Sequence, residues 1–235
     1  MTNTLAEILP VSTFGILLTL FAYLAGLWLY RRSGGHAALQ PVITGVLIII
    51  GVLLVLNIPY KTYFASAEII HTLLGTATVA LAIPLYQNLA RIRANWLPLT
   101  VTLLSGGIVA AITAVGVAWV LGADERILLS LAPKSITTPF AIAVSEIIGG
   151  YPALSAAFVI FTGMVAAMCA PPLFRLLGVD SPVAQGTALG MIGHGIGTAR
   201  AFELGSETGA FSALSMGLMG VYTSLSLPWI VHAFF

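Results

Sequence analysis

The chain has 235 residues, of which 59% are hydrophobic and only 7% charged, and its mean hydropathy of +1.04 excludes an ordinary soluble domain. Nine basic and eight acidic residues give a formal charge of +1, which indicates neither nucleic-acid binding nor electrostatic attachment to a membrane surface. The single cysteine, Cys169, excludes an intramolecular disulfide and a cysteine-based zinc cluster.

Apolar segments of about 20 residues, the length that spans a bilayer as a helix, follow one another along the chain. Residues 1–10 lack the basic region and cleavage site of a signal peptide, so the first apolar segment is expected to remain in the protein. The sequence therefore predicts an all-α integral membrane protein with about seven transmembrane helices in a single polytopic domain, residues 1–235. The predicted spans are 11–30, 41–58, 67–90, 97–121, 152–176, 183–203 and 209–234.

Basic residues in short loops predict the orientation of these spans. Arg31 and Arg32 follow the first span, and Arg91 and Arg93 follow the third, so both loops lie on the same face. Lys and Arg accumulate on the cytoplasmic side of membrane proteins. That face is therefore predicted to be cytoplasmic, with the N-terminus outside, and the acidic loop at 124–126 then faces outward.

The segment 127–149 is ambiguous. Pro133 and Pro139 interrupt any helix there, and residues 140–148 are predicted to form a short half-helix. If the segment spanned fully, Arg175 would face outward, whereas a segment that dips in and returns places Arg175 in the cytoplasm. The loop charges favour the re-entrant interpretation, and a fully spanning broken helix remains the alternative.

A re-entrant segment would make the spans 67–90 and 183–203 cross the membrane in opposite directions. Their sequences align loosely, which would give two three-helix units related by inversion, an arrangement typical of transporters. A competing alignment pairs 79–83 with 140–144. Inverted repeats and a chance alignment of apolar residues both remain open.

The segment 190–200 places His194 and Arg200 inside an otherwise apolar span. An ionisable group at membrane depth marks a functional site by default, because it is costly unless it faces a partner or a wet cavity. Broken helices are tolerated at that depth only where protein or water satisfies the freed backbone. The residues expected to loosen this helix are Gly190, Gly193, Gly195 and Gly197.

Four strings of this chain together resemble the LrgB/CidB family: Leu73–Tyr86, Pro133–Pro139, Ser145–Gly150 and His194–Arg200. The resemblance implies one of two functions. Bacterial members were named as holin/antiholin-like modulators of murein hydrolase activity and autolysis, acting with a small LrgA/CidA-type membrane partner. The related plastid protein is a glycolate/glycerate translocator, and some bacterial pairs are linked to pyruvate uptake.

Buried charge favours a carrier of small carboxylates, because a holin-like protein has no need of it. Arg and Lys bind carboxylates, half-helix N-termini add amide donors, and nearby hydroxyls donate further hydrogen bonds. The predicted substrate-binding residues are Lys134, Ser135, Thr137, Thr138, His194, Thr198 and Arg200. Glu146 and His194 are candidates for coupling to H⁺ or Na⁺. The predicted broken-helix residues are Thr76, Thr78, Pro133, Pro139, Gly193, Gly195 and Gly197, and Thr76 stands where the family usually has proline.

Each of these side chains also has a structural interpretation. Lys134 could extend to the membrane interface, and Arg200 could form an ion pair with Glu203 three residues on. His194 could be a hydrogen-bonded core residue, and Glu146 a partner of either cation. Thr76 and Thr78 could bond back to their own helix.

Neither zinc nor nucleophile motifs of common hydrolases occur, and the glycines near 195 lack the strand and the lysine of a phosphate-binding loop. We therefore expect no enzyme, no metal and no cofactor beyond a coupling ion. The expected partners are a small carboxylate, an LrgA/CidA-like membrane protein and the lipid bilayer, with a homodimer also open and no nucleic acid. The expected location is the bacterial cytoplasmic membrane.

Overall fold

The computed structural model describes residues 11–35, 39–80 and 82–234, and within these ranges the regular structure is helical with no strand. The helices in chain order are α1 (Val11–Arg32), α2 (Pro41–Val55), α3 (Tyr60–Ala80), α4 (Ala82–Gln87), α5 (Leu89–Ala94), α6 (Trp96–Val120), α7 (Glu125–Leu131), α8 (Thr138–Ile147), α9 (Pro152–Leu177), α10 (Pro182–Leu204) and α11 (Ser206–Phe234).

Four of the described helices, α1, α6, α9 and α11, are long and apolar enough to cross a membrane, and α2 and α8 are shorter apolar helices. Large apolar side chains are exposed along α6, among them Leu97, Val109 and Val120. Such a helix suits a lipid environment and would be unfavourable in water. The prediction of an all-α membrane protein is confirmed, and the remaining spans of the seven stay predictions.

The chain divides into two compact units, Met1–Ala82 and Ile83–Phe235. In the first unit α1 packs against α2 and α3, and the hydroxyls of Thr19 and Tyr63 lie 2.8 Å apart. The predicted span 67–90 differs from the structure, where α3 begins earlier, at Tyr60, and ends at Ala80. The predictions of inverted repeats and of a single domain both concern how the two units are related, and they stay predictions.

In the second unit α7 and α8 form a hairpin. The guanidinium Nε of Arg126 donates a hydrogen bond to the carbonyl of Gly149 at 3.3 Å, and the amide of Tyr151 donates to Ser130 Oγ at 2.6 Å. The two ends of the segment 126–149 thus lie together. A single straight helix of this length would separate them by about 35 Å, so the segment turns back, as the re-entrant interpretation requires.

Helix α10 is folded at His194, whose φ of 40° and ψ of −128° are not helical. A Cβ placed on Gly197 would collide with the carbonyl oxygen of Leu189, eight residues earlier. In a continuous helix about 12 Å would separate these two levels. The chain therefore turns back into two short helices, which we call α10a (residues 182–193) and α10b (residues 195–204).

The neighbouring helix α11 runs parallel to α10a and antiparallel to α10b. Gly186 lies against the carbonyl of Thr208, and Gly190 against the carbonyl of Ser212, so both contacts join residues 22 positions apart. Gly209 lies against the ring of Phe202 near the turn between α10b and α11. The sequence predicts one span over 183–203, whereas the observed segment begins and ends at the same end of α11.

The two hairpins enter the second unit from opposite ends of α6. The α7–α8 hairpin starts at Glu125, just beyond the last residue of α6. The base of the α10 hairpin lies at the other end, because Glu207 at the start of α11 forms an ion pair with Arg91, which precedes α6. Helices α8 and α10b have about ten residues each, so each tip lies roughly 15 Å from its own base.

Candidate functional site

The tip of the α7–α8 hairpin is the turn between α7 and α8. It is closed by a hydrogen bond from the amide of Ile136 to the carbonyl of Pro133 at 3.3 Å. Ile136 is buried and anchors the tip in the apolar core, while Lys134 stays half-buried. The ammonium of Lys134 donates to Ser135 Oγ at 3.1 Å, so a cation and a hydroxyl lie side by side on the tip.

The tip of the α10 hairpin is His194, whose imidazole is 4% exposed. Its Nε2 lies 2.8 Å from the carbonyl oxygen of Val159 in α9, and because a carbonyl only accepts, Nε2 donates. The ring occupies space left by Gly163, where an added Cβ would stand 2.6 Å from Cε1 and 2.8 Å from Nε2. A glycine one turn along α9 therefore provides room for the imidazole.

The two tips approach each other. The ammonium of Lys134 and the imidazole of His194 are close enough to interact electrostatically. Both tips also lie near the middle of α6, where Met191 of α10a packs against Gly106 and Ser135 shares a cleft with Gly107. The structure thus brings together residues that are about 60 positions apart in sequence.

Each tip carries the N-terminus of a half-helix. Helix α8 begins at Thr138, and the side chain of its N-cap, Thr137, makes no capping hydrogen bond. Helix α10b begins after His194. The first amides of a helix have no partner within it, and together with the helix dipole they favour an anion. Two such ends beside Lys134 form a positive region with several donors.

A cleft of about 60 Å³ adjoins the first tip. It lies between α6, the α7–α8 turn and α11, and its polar lining comes from Ser135, Tyr222, Thr223 and Ser226. A water molecule needs about 10–15 Å³ of such a cavity, so the cleft has room for about four to six water molecules. A ligand of about four to six non-hydrogen atoms would occupy the same space.

Below the second tip, Thr198 and Arg200 face different neighbours. Thr198 Oγ1 and Ser212 Oγ lie 3.0 Å apart, and both residues are buried. The guanidinium of Arg200 is largely buried and forms an ion pair with the carboxylate of Glu203. The structural interpretation of Arg200 as half of an ion pair is therefore observed, whereas Thr198 takes part in a buried hydroxyl pair.

The remaining predicted residues lie in several places. Pro133 is buried at the first tip and Pro139 is the second residue of α8, while Glu146 is exposed, about 12 Å along α8 from Thr138. Gly193 and Gly195 flank His194 at the second tip, and Gly197 contacts α10a. The side chains of Thr76 and Thr78 lie outside the described residues.

Several contributing residues carried little signal in the sequence. Val159 and Gly163 lie within an apolar segment of α9, and no local sequence signal indicates that they contact the His194 imidazole. Ser212 does carry a signal, because it lies four positions after Thr208 along α11, and polar residues at that spacing share one face of an apolar helix. Among the described residues no group of three or more His, Cys, Asp or Glu side chains could hold a metal ion.

Comparison with known proteins places the chain in a family. A model of the LrgB-like family matches residues 19–233. The uncharacterized proteins YwbG and YxaC of Bacillus subtilis are 33% and 36% identical, over 94% and 93% of this chain and 98% and 95% of their own lengths. The antiholin-like protein LrgB of Bacillus cereus is 31% identical over 92% of this chain and 94% of its own length. No solved structure matches significantly.

The chain belongs to the LrgB-like family. The resemblance seen in the sequence is thereby confirmed, and the protein is a multi-pass membrane protein with bacterial relatives. The names of the Bacillus cereus relatives refer to an antiholin-like role, and they do not mention a substrate.

Proposed function

We propose that this protein is a secondary carrier of small carboxylates in the bacterial cytoplasmic membrane, with the anion bound between the two hairpin tips. The observation that carries the proposal is the position of Lys134 and His194 at the ends of two half-helices that enter from opposite ends of α6 and both reach its middle. Broken helices that point their N-termini at a central site are a recurrent solution for binding anions within the membrane.

The chemistry of the tips suits a carboxylate of two or three carbons. Lys134 supplies a compact positive charge, and Ser135, Thr137 and Thr138 add hydroxyl donors beside the first amides of α8. The adjoining cleft accommodates about four to six non-hydrogen atoms. Glycolate, glycerate and pyruvate lie within or close to this range.

The position of the tips also suits alternating access. Each hairpin closes the path from one end of α6, so displacement of one tip at a time would open the anion site to one side only. Moving an anion inward against a potential that is negative inside costs about 2.3 kcal/mol per charge per 100 mV. Net uptake therefore requires a co-transported cation, H⁺ or Na⁺.

Uptake into proteoliposomes tests the proposal. We expect the purified protein to take up radiolabelled glycolate or pyruvate saturably, and Lys134→Ala to reduce uptake about tenfold or more, the equivalent of about 1.4 kcal/mol of binding. Lys61→Ala is a matched control, because Lys61 is the other lysine of the chain and is exposed on α3. Absence of uptake, both alone and with an LrgA/CidA-type partner, would refute the carrier.

The names of the relatives favour a second function, an antiholin-like modulator of murein hydrolase activity that acts with an LrgA-type partner. The same variants distinguish the two functions. If the protein is a carrier, Lys134→Ala reduces uptake and any effect on autolysis together. If it acts as an antiholin, autolysis in cells responds to deletion of the protein but not to Lys134→Ala, and proteoliposomes leak trapped dye or show no transport.

A further inference from the structure

Three hydroxyl side chains on α10 and α11 are buried. Thr198 and Ser212 form a hydroxyl pair, and they are 3% and 0% exposed. Ser215 is also 0% exposed, and its Oγ has no hydrogen-bond partner within the described part of the chain. We call these residues the hydroxyl cluster. A fully buried polar atom without a partner is uncommon and calls for an explanation.

The register of the two parallel helices places Ser215 at the hairpin tip. Gly186 contacts Thr208 and Gly190 contacts Ser212, each 22 residues on. Continued along both helices, this register brings Ser215 level with Gly193, the last residue of α10a. The carbonyl groups of a helix point toward its C-terminus, and the last of them have no partner within the helix, so the C-terminal end of α10a directs carbonyl oxygens toward the level of Ser215.

We propose that the hydroxyl cluster and the C-terminal carbonyls of α10a form a Na⁺ site. These groups offer neutral oxygen atoms at the negative end of a helix dipole, which attracts a cation. Ca²⁺, a cation of radius similar to that of Na⁺, binds oxygen ligands at about 2.3–2.6 Å. Two neighbouring ligands of such an ion are separated by roughly the 3.0 Å that separates Thr198 Oγ1 from Ser212 Oγ. Both hydroxyl protons can rotate away to present lone pairs.

The surrounding charges favour a monovalent over a divalent cation. No carboxylate belongs to the cluster, and a divalent ion would need several negative ligands. Arg200 lies two positions after Thr198, about 200° around α10b, and is paired with Glu203. Lys134 is close enough to His194, which precedes α10b, to interact with it electrostatically. A monovalent cation at the α10a end and an anion at the α10b end would then bind at opposite poles of one hairpin tip.

The role of this Na⁺ as a coupling ion rests on the proposed carrier function, but its binding does not. Thermal unfolding of the purified full chain in detergent measures binding without substrate. At constant ionic strength we expect the Tm to rise saturably with NaCl and to remain unchanged with KCl or choline chloride, because a ligand that binds only the folded state stabilises it.

Variants of the cluster locate the site. Ser215→Ala and Thr198→Val each remove one oxygen and should weaken the apparent Na⁺ affinity about tenfold or more, whereas Thr198→Ser keeps the oxygen and should respond like the unaltered protein. Ser224→Ala is the matched control, because Ser224 lies on the same helix, about 13 Å away, and its hydroxyl also lacks a partner among the described residues.

Two results would overturn the proposal. One is a Tm that responds equally to Na⁺, K⁺ and choline. The other is a Na⁺ response in Ser215→Ala, and in Thr198→Val if that variant folds, that is the same as in the controls Thr198→Ser and Ser224→Ala. Failure of the carrier function is separate. A Na⁺-specific rise in Tm without any uptake supports the Na⁺ site and refutes transport. Uptake without a Na⁺-specific rise in Tm supports transport and refutes the Na⁺ site.

Discussion

His194 holds a backbone conformation that an ordinary side chain rarely adopts. Its φ of 40° lies in a region favoured by glycine, although glycines stand on both sides of it. Such a conformation costs of the order of 1–3 kcal/mol and persists only where the surroundings impose it. The hydrogen bond from Nε2 to the Val159 carbonyl is the contact that retains histidine at this position.

Two substitutions of His194 separate strain from hydrogen bonding. Both His194→Ala and His194→Gly lose the bond to Val159, worth about 0.5–1.5 kcal/mol, but only glycine relieves the backbone strain. We therefore expect His194→Ala to unfold at a lower Tm than the parent protein, and His194→Gly to unfold at a higher Tm than His194→Ala. Equal Tm values for the two variants would show that the strain is unimportant.

Gly163 can be tested without altering the tip itself. An added Cβ would stand 2.6 Å from His194 Cε1, and because Val159 holds the ring, Gly163→Ala should destabilise the protein by about 1–3 kcal/mol. Gly116→Ala is the control, since its Cβ would meet nothing within 4 Å. In the His194→Gly background the ring is absent, so Gly163→Ala should cost little. Additive costs in this double-mutant cycle would contradict the inference that the His194 ring occupies the space beside Gly163.

At the scale of helices, proline and polar caps made several boundaries predictable. Pro41, Pro152 and Pro182 are the first residues of α2, α9 and α10, where a missing amide hydrogen costs nothing. Pro139 similarly marks the start of α8. These signals are local, and local chemistry was sufficient to predict the interrupted segment at 127–149.

The reversal of α10 could not be predicted from local signals. Its glycines allow many backbone conformations, and the sequence does not determine whether the helix stays straight, bends or folds back. The outcome depends on contacts with other helices, namely Gly190 with Ser212 and His194 with Val159. These contacts join residues 22 and 35 positions apart, beyond the reach of a pattern with helical period.

Close packing between α10a and α11 gives a prediction at this scale. A Cβ on Gly190 would collide with the backbone of Ser212, which cannot move aside as a flexible side chain can. We expect Gly190→Ala to destabilise the protein by about 1–3 kcal/mol or more, measured as a lower Tm in detergent. Gly217→Ala on α11, with nothing within 4 Å, should leave the Tm nearly unchanged, and a comparable loss there would contradict the packing argument.

For the second unit as a whole, the sequence identified the chemistry of the site better than its geometry. Lys134 and His194 stood out because ionisable groups are rare in apolar segments, and the structure brings both to the hairpin tips. Glu146 had the same distinction but lies exposed on α8, away from the tips. Side-chain chemistry alone could not assign these positions, because they depend on where each hairpin turns back.

The path of the chain through the membrane can be tested by labelling from each side. In a Cys169→Ser background, single cysteines at Glu125, Asp180 and Leu204 are exposed labelling sites. Because α10 turns back at His194, Asp180→Cys and Leu204→Cys should react with a membrane-impermeant maleimide from the same side of oriented vesicles. Glu125→Cys, at the base of the other hairpin, should react only from the opposite side. If α10 crossed the bilayer as one straight helix, Asp180→Cys and Leu204→Cys would instead react from different sides, and the meeting of two opposed hairpins would be refuted.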